Sequence, residues 1–341
     1  MKSLKYILLP FSWLYWAFTF CRNKCFDWNI LHQQLFRVPI ISVGNITVGG
    51  TGKTPHVQYI VNLLKDRGIA SLSRGYKRKS TGYVLAEAST SVDELGDEPF
   101  LLQKRFPSLH VAVCEKRVVG VSKLMEQFPN LQAVILDDAF QHRYVKPKLQ
   151  IVLVDYNRPL WRDEVFPVGY LREGAYALSR ADVVVVTKCP STMSETDAAL
   201  WRKKLRIQQQ KLFFSTMDYG AVYEYADKHT CEPSQFFTGR NVCLVTGIAQ
   251  PQPLIDYVRS FGGNVFVKTY PDHYAYSHRD EDELLQLANQ YSLVTTEKDV
   301  YKLANIVPNK PLFVVPIMPK FLFDGQSQFD TLLLETVRFS S

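Results

Sequence analysis

The stretch Ile40-Ile41-Ser42-Val43-Gly44-Asn45-Ile46-Thr47-Val48-Gly49-Gly50-Thr51-Gly52-Lys53-Thr54 constrains this chain more than any other. An apolar, β-branched run ends in a glycine-rich turn, and the residues after Thr54 have helical spacing. That is the strand, phosphate loop and helix order of a P-loop, and it calls for a nucleoside triphosphate. Glycine lets backbone N–H groups approach the phosphates, Lys53 reaches the β and γ phosphates as a point charge, and the Thr54 hydroxyl suits Mg²⁺. The nucleotide-binding candidates are therefore Gly49, Gly50, Thr51, Gly52, Lys53 and Thr54. There is one departure. Counted back from Gly52-Lys53-Thr54, the usual opening glycine falls on Thr47, so the loop is read as Gly44-Asn45 followed by Gly49 to Gly52. A bland flexible turn has no need of Lys-Thr at that offset.

From Val38 onward the pattern alternates between strand and helix. Ile40 to Val43 reads as a buried strand, and the helix after the loop puts Val57, Ile60, Val61 and Leu64 on one face, with Pro55 tolerated in its first turn. Further strands are expected at Ala70 to Ser73, His110 to Cys114, Ala133 to Leu136, Ile151 to Val154 and Val183 to Thr187. Strands separated by helical segments predict a parallel, doubly wound sheet. The regularity breaks at Lys211 to Phe237, where Phe213 to Met217 and Ala221 to Tyr225 flank Asp218-Tyr219-Gly220 like a two-stranded connector. A second β/α series then starts with Val242 to Val245, Val265 to Tyr270, Ser292 to Thr295 and Leu312 to Val315.

A length of 341 residues, 46% of them hydrophobic, suits roughly two globular domains and excludes a disordered chain. The formal charge of +7 is modest for that size. Lys2, Lys5, Arg22 and Lys24 bracket the uncharged stretch Tyr6 to Phe20, a distribution that suits an anionic membrane surface better than nucleic acid. The stretch is too short and too rich in Trp and Tyr for a comfortable span, so it reads as a surface anchor; a true span and an ordinary buried helix are the alternatives. Cys21-Arg22-Asn23-Lys24 offers no small-residue cleavage site. Cys21, Cys25, Cys114, Cys189, Cys231 and Cys243 form no C-x-x-C pair, which argues against zinc or a disulfide framework and for a reducing compartment.

In an open α/β sheet, ligands collect at the carboxyl ends of the strands. The strand Ala133 to Leu136 delivers Asp137-Asp138 in the position of an acidic element supporting Mg²⁺, with a solvated Asp-Asp turn as the alternative. Asp97, just before the apolar Phe100-Leu101-Leu102, reads either as a helix N-cap or as the group accepting a substrate hydroxyl's proton during phosphoryl transfer. His142 and His273 stand after strands among polar neighbours. So do Arg74, Arg117 and the run Leu171-Arg172-Glu173, whose arginines suit γ-phosphate charge or an anionic substrate as well as they suit solvent.

Taken together, the Val43 to Thr54 loop, Leu72-Ser73-Arg74-Gly75-Tyr76, Gly96-Asp97-Glu98-Pro99, Asp137 to Arg143, Leu171-Arg172-Glu173, Pro271-Asp272-His273 and Thr296-Glu297-Lys298-Asp299 resemble the tetraacyldisaccharide 4'-kinase family of Gram-negative bacteria, the lipid A 4'-kinases. The resemblance implies two α/β/α domains joined by a two-stranded β linker: a P-loop NTPase-like doubly wound domain, a smaller α/β domain and an N-terminal membrane-associated helix. On this chain that places the helix over 1–24, the kinase core over 25–212, the linker over 213–237 and the smaller lid domain over 238–341. It implies transfer of the γ-phosphate of ATP, with Mg²⁺, to the 4'-hydroxyl of a tetraacyldisaccharide 1-phosphate, a lipid A precursor, giving lipid IVA at the cytoplasmic face of the inner membrane.

By the same resemblance Lys53 and Thr54 hold phosphates and metal, Asp137 and Asp138 stand on the metal side, Asp97 is the catalytic base, and His273 tunes it. Arg74, Arg117, His142, Arg172 and Glu173 fall to substrate binding or charge stabilisation. Ala139 stands where the family pattern has glycine, of little consequence unless the backbone there has positive φ. No nucleic acid and no obligate protein partner is implied.

A P-loop GTPase acting as a switch or metal-delivery chaperone is the competing class. Its guanine-specific element wants Asp where Thr187-Lys188-Cys189-Pro190 has proline. A non-catalytic nucleotide-responsive scaffold is disfavoured by the joint presence of Lys53, Thr54, Asp97, Asp137 and Asp138.

Overall fold

The structure, a computed structural model, describes residues 2–271 and 274–338. In chain order it runs α1 (Lys2–Asp27), β1 (Ile40–Asn45), α2 (Lys53–Leu64), β2 (Ile69–Ser73), β3 (Val84–Leu85), α3 (Val92–Leu95), α4 (Asp97–Arg105), β4 (His110–Val113), α5 (Arg117–Gln127), β5 (Ala133–Asp137), β6 (Leu149–Asp155), β7 (Val183–Thr187), α6 (Glu195–Leu205) and β8 (Lys211–Tyr219). It continues through β9 (Val222–Glu224), β10 (Thr230–Cys231), α7 (Pro233–Phe237), β11 (Asn241–Thr246), α8 (Gln252–Arg259), β12 (Asn264–Thr269), α9 (His278–Gln290), β13 (Ser292–Thr296), α10 (Val300–Ile306) and β14 (Leu312–Val315). β15 (Ile317–Phe321) and α11 (Gly325–Arg338) complete it. Every strand expected from the alternating pattern is present. The chain divides into two units, Met1–Met217 with Pro319–Ser341, and Asp218–Met318.

Among the described residues the larger sheet has nine strands in the order β15-β8-β7-β6-β1-β5-β2-β4-β3. Neighbours from β8 to β4 run parallel, and β3 is antiparallel to β4. Because successive strand residues face opposite sides, each apolar run feeds two cores. Ile41, Ile151, Leu153 and Val185 pack with Val57, Ile60, Val61 and Leu64 of α2. Ile40, Leu72 and Leu136 pack instead with Val121 and Leu124 of α5, and Val152, Val154, Val184 and Val186 with Trp201 and Leu205 of α6. The chain builds β2, β4 and β5 on one side of β1 and β6 to β8 on the other. The carboxyl end of β1 is thus the topological switch point, where such sheets bind ligands.

The smaller unit has its own sheet, β10-β9-β14-β13-β11-β12. β11 to β14 pair in parallel, and β9 is antiparallel to β14. Two strands do join the units, but they are not the expected pair. β8 carries the chain out of the larger sheet and β15, its neighbour there, brings it back, while Val222–Glu224 beyond Gly220 enters the smaller sheet. For the same reason the segment from Pro319 onward belongs to the larger unit and not, as expected, to the smaller domain. Phe321, Phe329, Leu333 and Val337 complete the core over Ile41 and α2, and Tyr59 of α2 donates to Asp330 Oδ1 at 2.6 Å. An apolar face on α2 and β1 needs a cover, and α11 supplies it.

α1 buries Ser12, Asn23 and Phe26 and turns a row of other apolar residues outward. Ser12 Oγ donates to Val165 O (2.9 Å) and accepts the Val168 N–H (3.0 Å), and buried Asn23 donates to Glu173 Oε2 at 2.9 Å. Ile7, Phe11, Trp13, Leu14 and Phe18 are each 61–71% exposed. No helix among the described residues is long and apolar enough to cross a membrane.

Candidate active site

The loop leaving β1 first runs beside the 170–172 segment: Val48 N–H donates to Tyr170 O and Arg172 N–H to Ile46 O, each at 2.7 Å. Thr47 is bridged antiparallel to Leu171 and has no left-handed φ, which explains why no glycine is needed there. Gly44 lies inside β1 and serves packing, since a Cβ on it would fall 2.7 Å from the Phe140 Cβ. Gly52, immediately before α2, has φ 82°. An added side chain there would be strained and would meet Met217 Cε at 2.9 Å. Asn45 Nδ2 donates to Thr51 Oγ1 at 2.9 Å and fixes the loop from inside.

At the start of α2 two acidic groups split their roles. Asp138, at φ 49°, places one carboxylate oxygen 2.9 Å from Lys53 Nζ, and Arg172 Nη1 donates to both of its oxygens at 3.0 and 3.1 Å. Burial pushes this carboxyl up, but Lys53 and then Arg172 outweigh it and hold it below the ordinary carboxylate value. The left-handed residue is Asp138 and not Ala139, so alanine there carries no strain. Asp137 is buried at the end of β5. Desolvation, followed by the charge of Glu98, raises its carboxyl to about 7 despite Lys53. Its Oδ1 has no hydrogen-bond partner among the described residues. Thr54 Oγ1 donates to Glu98 Oε1 at 2.9 Å. Thr54, Glu98 and Asp137, with Gln58, Ser71 and Ser73, line a cavity of about 10 Å³, room for about one water-sized group. A buried, unpartnered carboxylate oxygen beside a second carboxylate and a hydroxyl is an all-oxygen set that a hard cation fits.

Arg117 lies beneath the acidic pair, 2% exposed, donating to Cys114 O (2.9 Å) and toward Asp137 O (3.4 Å). Burial lowers it to about 10, while Asp137 and Asp138 oppose that fall. His142 accepts weakly from the Arg117 N–H at 3.5 Å, its Nδ1 has no partner among the described residues, and burial and then Arg117 push it below the ordinary histidine value. Arg74 is exposed after β2, close enough to Arg117 to lower it further. Asp97 is the first residue of α4, half-buried and one position before Glu98. Glu173 is placed elsewhere. It is buried between Arg180 (2.7 Å) and Asn23 of α1, away from Lys53 in its bonding. His273 lies outside the described residues.

Four contributors were not singled out from sequence. Glu98 was overshadowed by Asp97 beside it. Gln141, which donates to Asn45 O at 2.9 Å, carries no periodic signal. Thr187-Lys188 reads in the sequence only against a guanine-specific element, and His56 sits inside the helical pattern of α2. The signals available were a carboxylate beside the expected base and a Thr-Lys step capping an all-valine strand.

The family description that matches this chain is tetraacyldisaccharide-1-P 4'-kinase, LpxK, over residues 4–338. A tetraacyldisaccharide 4'-kinase of Phocaeicola vulgatus is 40% identical over 349 residues, covering 98% of this chain and 95% of that protein. One from Flavobacterium johnsoniae is 38% identical, covering 99% and 98%. The crystal structure of LpxK from Aquifex aeolicus in complex with ATP is 28% identical and superposes with a TM-score of 0.78 over 98% of this chain and 99% of that one. A strand, glycine-rich loop and helix facing paired carboxylates, in a chain matched along almost its whole length, make this protein a member of the tetraacyldisaccharide-1-P 4'-kinase family.

Proposed function

We propose that the cluster of Lys53, Thr54, Glu98, Asp137 and Asp138 is the donor side of an ATP-dependent phosphoryl transfer to the 4'-hydroxyl of a tetraacyldisaccharide 1-phosphate, the step that forms lipid IVA in lipid A biosynthesis. The activity is that of the family, and the geometry of this chain supports the roles proposed for its individual residues. The observation that carries the assignment is the unpartnered Asp137 Oδ1, buried beside Thr54 and Glu98 and a short step from the Lys53–Asp138 pair. Gly49 to Thr54 would cradle the phosphates of ATP. Thr54, Glu98 and Asp137 would hold Mg²⁺, which when bound neutralises phosphate charge. Lys53 and Arg172, both on Asp138, are poised to exchange that carboxylate for phosphate oxygens.

Asp97 is the proposed base, accepting the proton of the 4'-hydroxyl from the same helical turn as Glu98. Asp97→Asn is expected to abolish transfer of labelled γ-phosphate to the lipid acceptor while ATP still binds, and wild-type turnover in that variant would remove the role. The outward apolar face of α1 supports residence at the inner face of the inner membrane, where the lipid acceptor is met.

A further inference from the structure

Three successive carbonyls of the loop are each held by a side chain from outside it. Lys188 Nζ donates to Gly50 O, Thr187 Oγ1 donates to Thr51 O at 2.8 Å, and His56 Nδ1 contacts Gly52 O at 2.7 Å. A carbonyl only accepts, so His56 carries its proton on Nδ1, and its Nε2 accepts from the Ser215 hydroxyl at 3.0 Å. Lys188 is held in turn by Asp155 Oδ2 at 2.8 Å. Thr187, His56, Ser215 and Asp155 are all buried, so the brace has little freedom to rearrange.

In a planar trans peptide the C=O of one residue and the N–H of the next point in opposite directions. Holding the carbonyls of Gly50, Thr51 and Gly52 therefore aims the amides of Thr51, Gly52 and Lys53 the other way. These are the amides that make a phosphate nest at a helix N-terminus. Asn45 extends the series with a longer contact to Gly49 O at 3.5 Å.

We infer that Thr187, Lys188 and His56 are positioning residues for phosphoryl transfer, a brace that keeps the loop amides turned toward the triphosphate before it binds. The inference rests on the reading of Gly49 to Thr54 as the ATP phosphate cradle. It gives Thr187-Lys188 a function independent of base recognition, at the end of β7 and without the aspartate of a guanine-specific element.

The test compares Thr187→Val, which removes one hydroxyl at nearly constant shape, Thr187→Ser, which restores it, and Lys188→Met, with Lys53→Ala as the control on the cradle. In the full-length protein Thr187→Val is expected to raise the KM for ATP about five- to tenfold, the worth of roughly one hydrogen bond. The KM for the lipid acceptor should stay unchanged, and Thr187→Ser should return the ATP value to within about twofold. Lys188→Met should act in the same direction; if it fails to fold, the valine and serine variants of Thr187 decide alone. Wild-type KM for ATP and kcat in Thr187→Val, while Lys53→Ala is impaired, would overturn the brace and leave the cradle standing. Wild-type kinetics in Lys53→Ala would overturn the cradle and the brace together.

Discussion

Asp137 and Asp138 are adjacent in sequence and opposite in behaviour. Asp138 is neutralised by two cations, whereas Asp137 is buried beside Glu98 and its carboxyl rises to about 7 from 3.8. The folded state therefore retains a proton that the unfolded chain has already lost, and stability from this group is present at low pH and is lost as pH rises from about 4 to about 7. Asp137→Asn, which cannot ionise, is expected to raise the melting midpoint of the ligand-free protein above pH 7, with the gain disappearing as pH falls toward 4. Added Mg²⁺ and ATP are expected to stabilise wild type, and the same variant should lose that gain. A melting midpoint that falls at every pH would refute this account of Asp137. The Asp-Asp pair was legible in the sequence. Its division of labour was not, because it depends on Glu98, Lys53 and Arg172, brought in from three other segments.

At the scale of elements, α1 and α11 show how differently a helix is read alone and in place. Their apolar residues are equally plain in the sequence, yet those of α11 are buried, Leu333 fully, while Phe11, Trp13 and Leu14 of α1 face outward. Leu333→Ala is expected to destabilise the larger unit by about 2–5 kcal/mol, measured by denaturant unfolding. For α1, point changes discriminate better than deletion, because Asn23 and Phe26 are built into the fold. Trp13→Ser combined with Leu14→Ser should weaken binding to anionic vesicles by at least about tenfold, since each buried apolar side chain contributes about 1.5–3 kcal/mol. Thermal stability should be unaffected, and unchanged vesicle binding would count against a membrane face there.

At the scale of the molecule, the chain makes one excursion from the larger sheet and returns to the strand it left. Because β8 and β15 are neighbours in that sheet, replacing residues 218–318 by a short glycine-serine linker is expected to leave the larger unit folded. Circular dichroism and a cooperative thermal transition would check this, and loss of the transition would show that its core depends on the excised unit. Local pattern predicted the alternation of strands and helices in both units. It did not predict the return, because a C-terminal amphipathic helix carries no label for the surface it covers.

What the sequence determined by itself is the set of local commitments. A β-branched run before a glycine-rich turn and Lys-Thr specify a strand, a loop and a helix, and they set the expectation of a phosphate ligand at the helix N-terminus. Tertiary structure alone decided what that loop leans on. Thr187 and Lys188 lie more than a hundred residues beyond it and Ser215 farther still, yet sheet order places β7 and β8 where their side chains reach the loop carbonyls directly or through His56. Hydrogen bonds act over about 3 Å, and no pattern along the chain records which distant residues the fold brings within that reach.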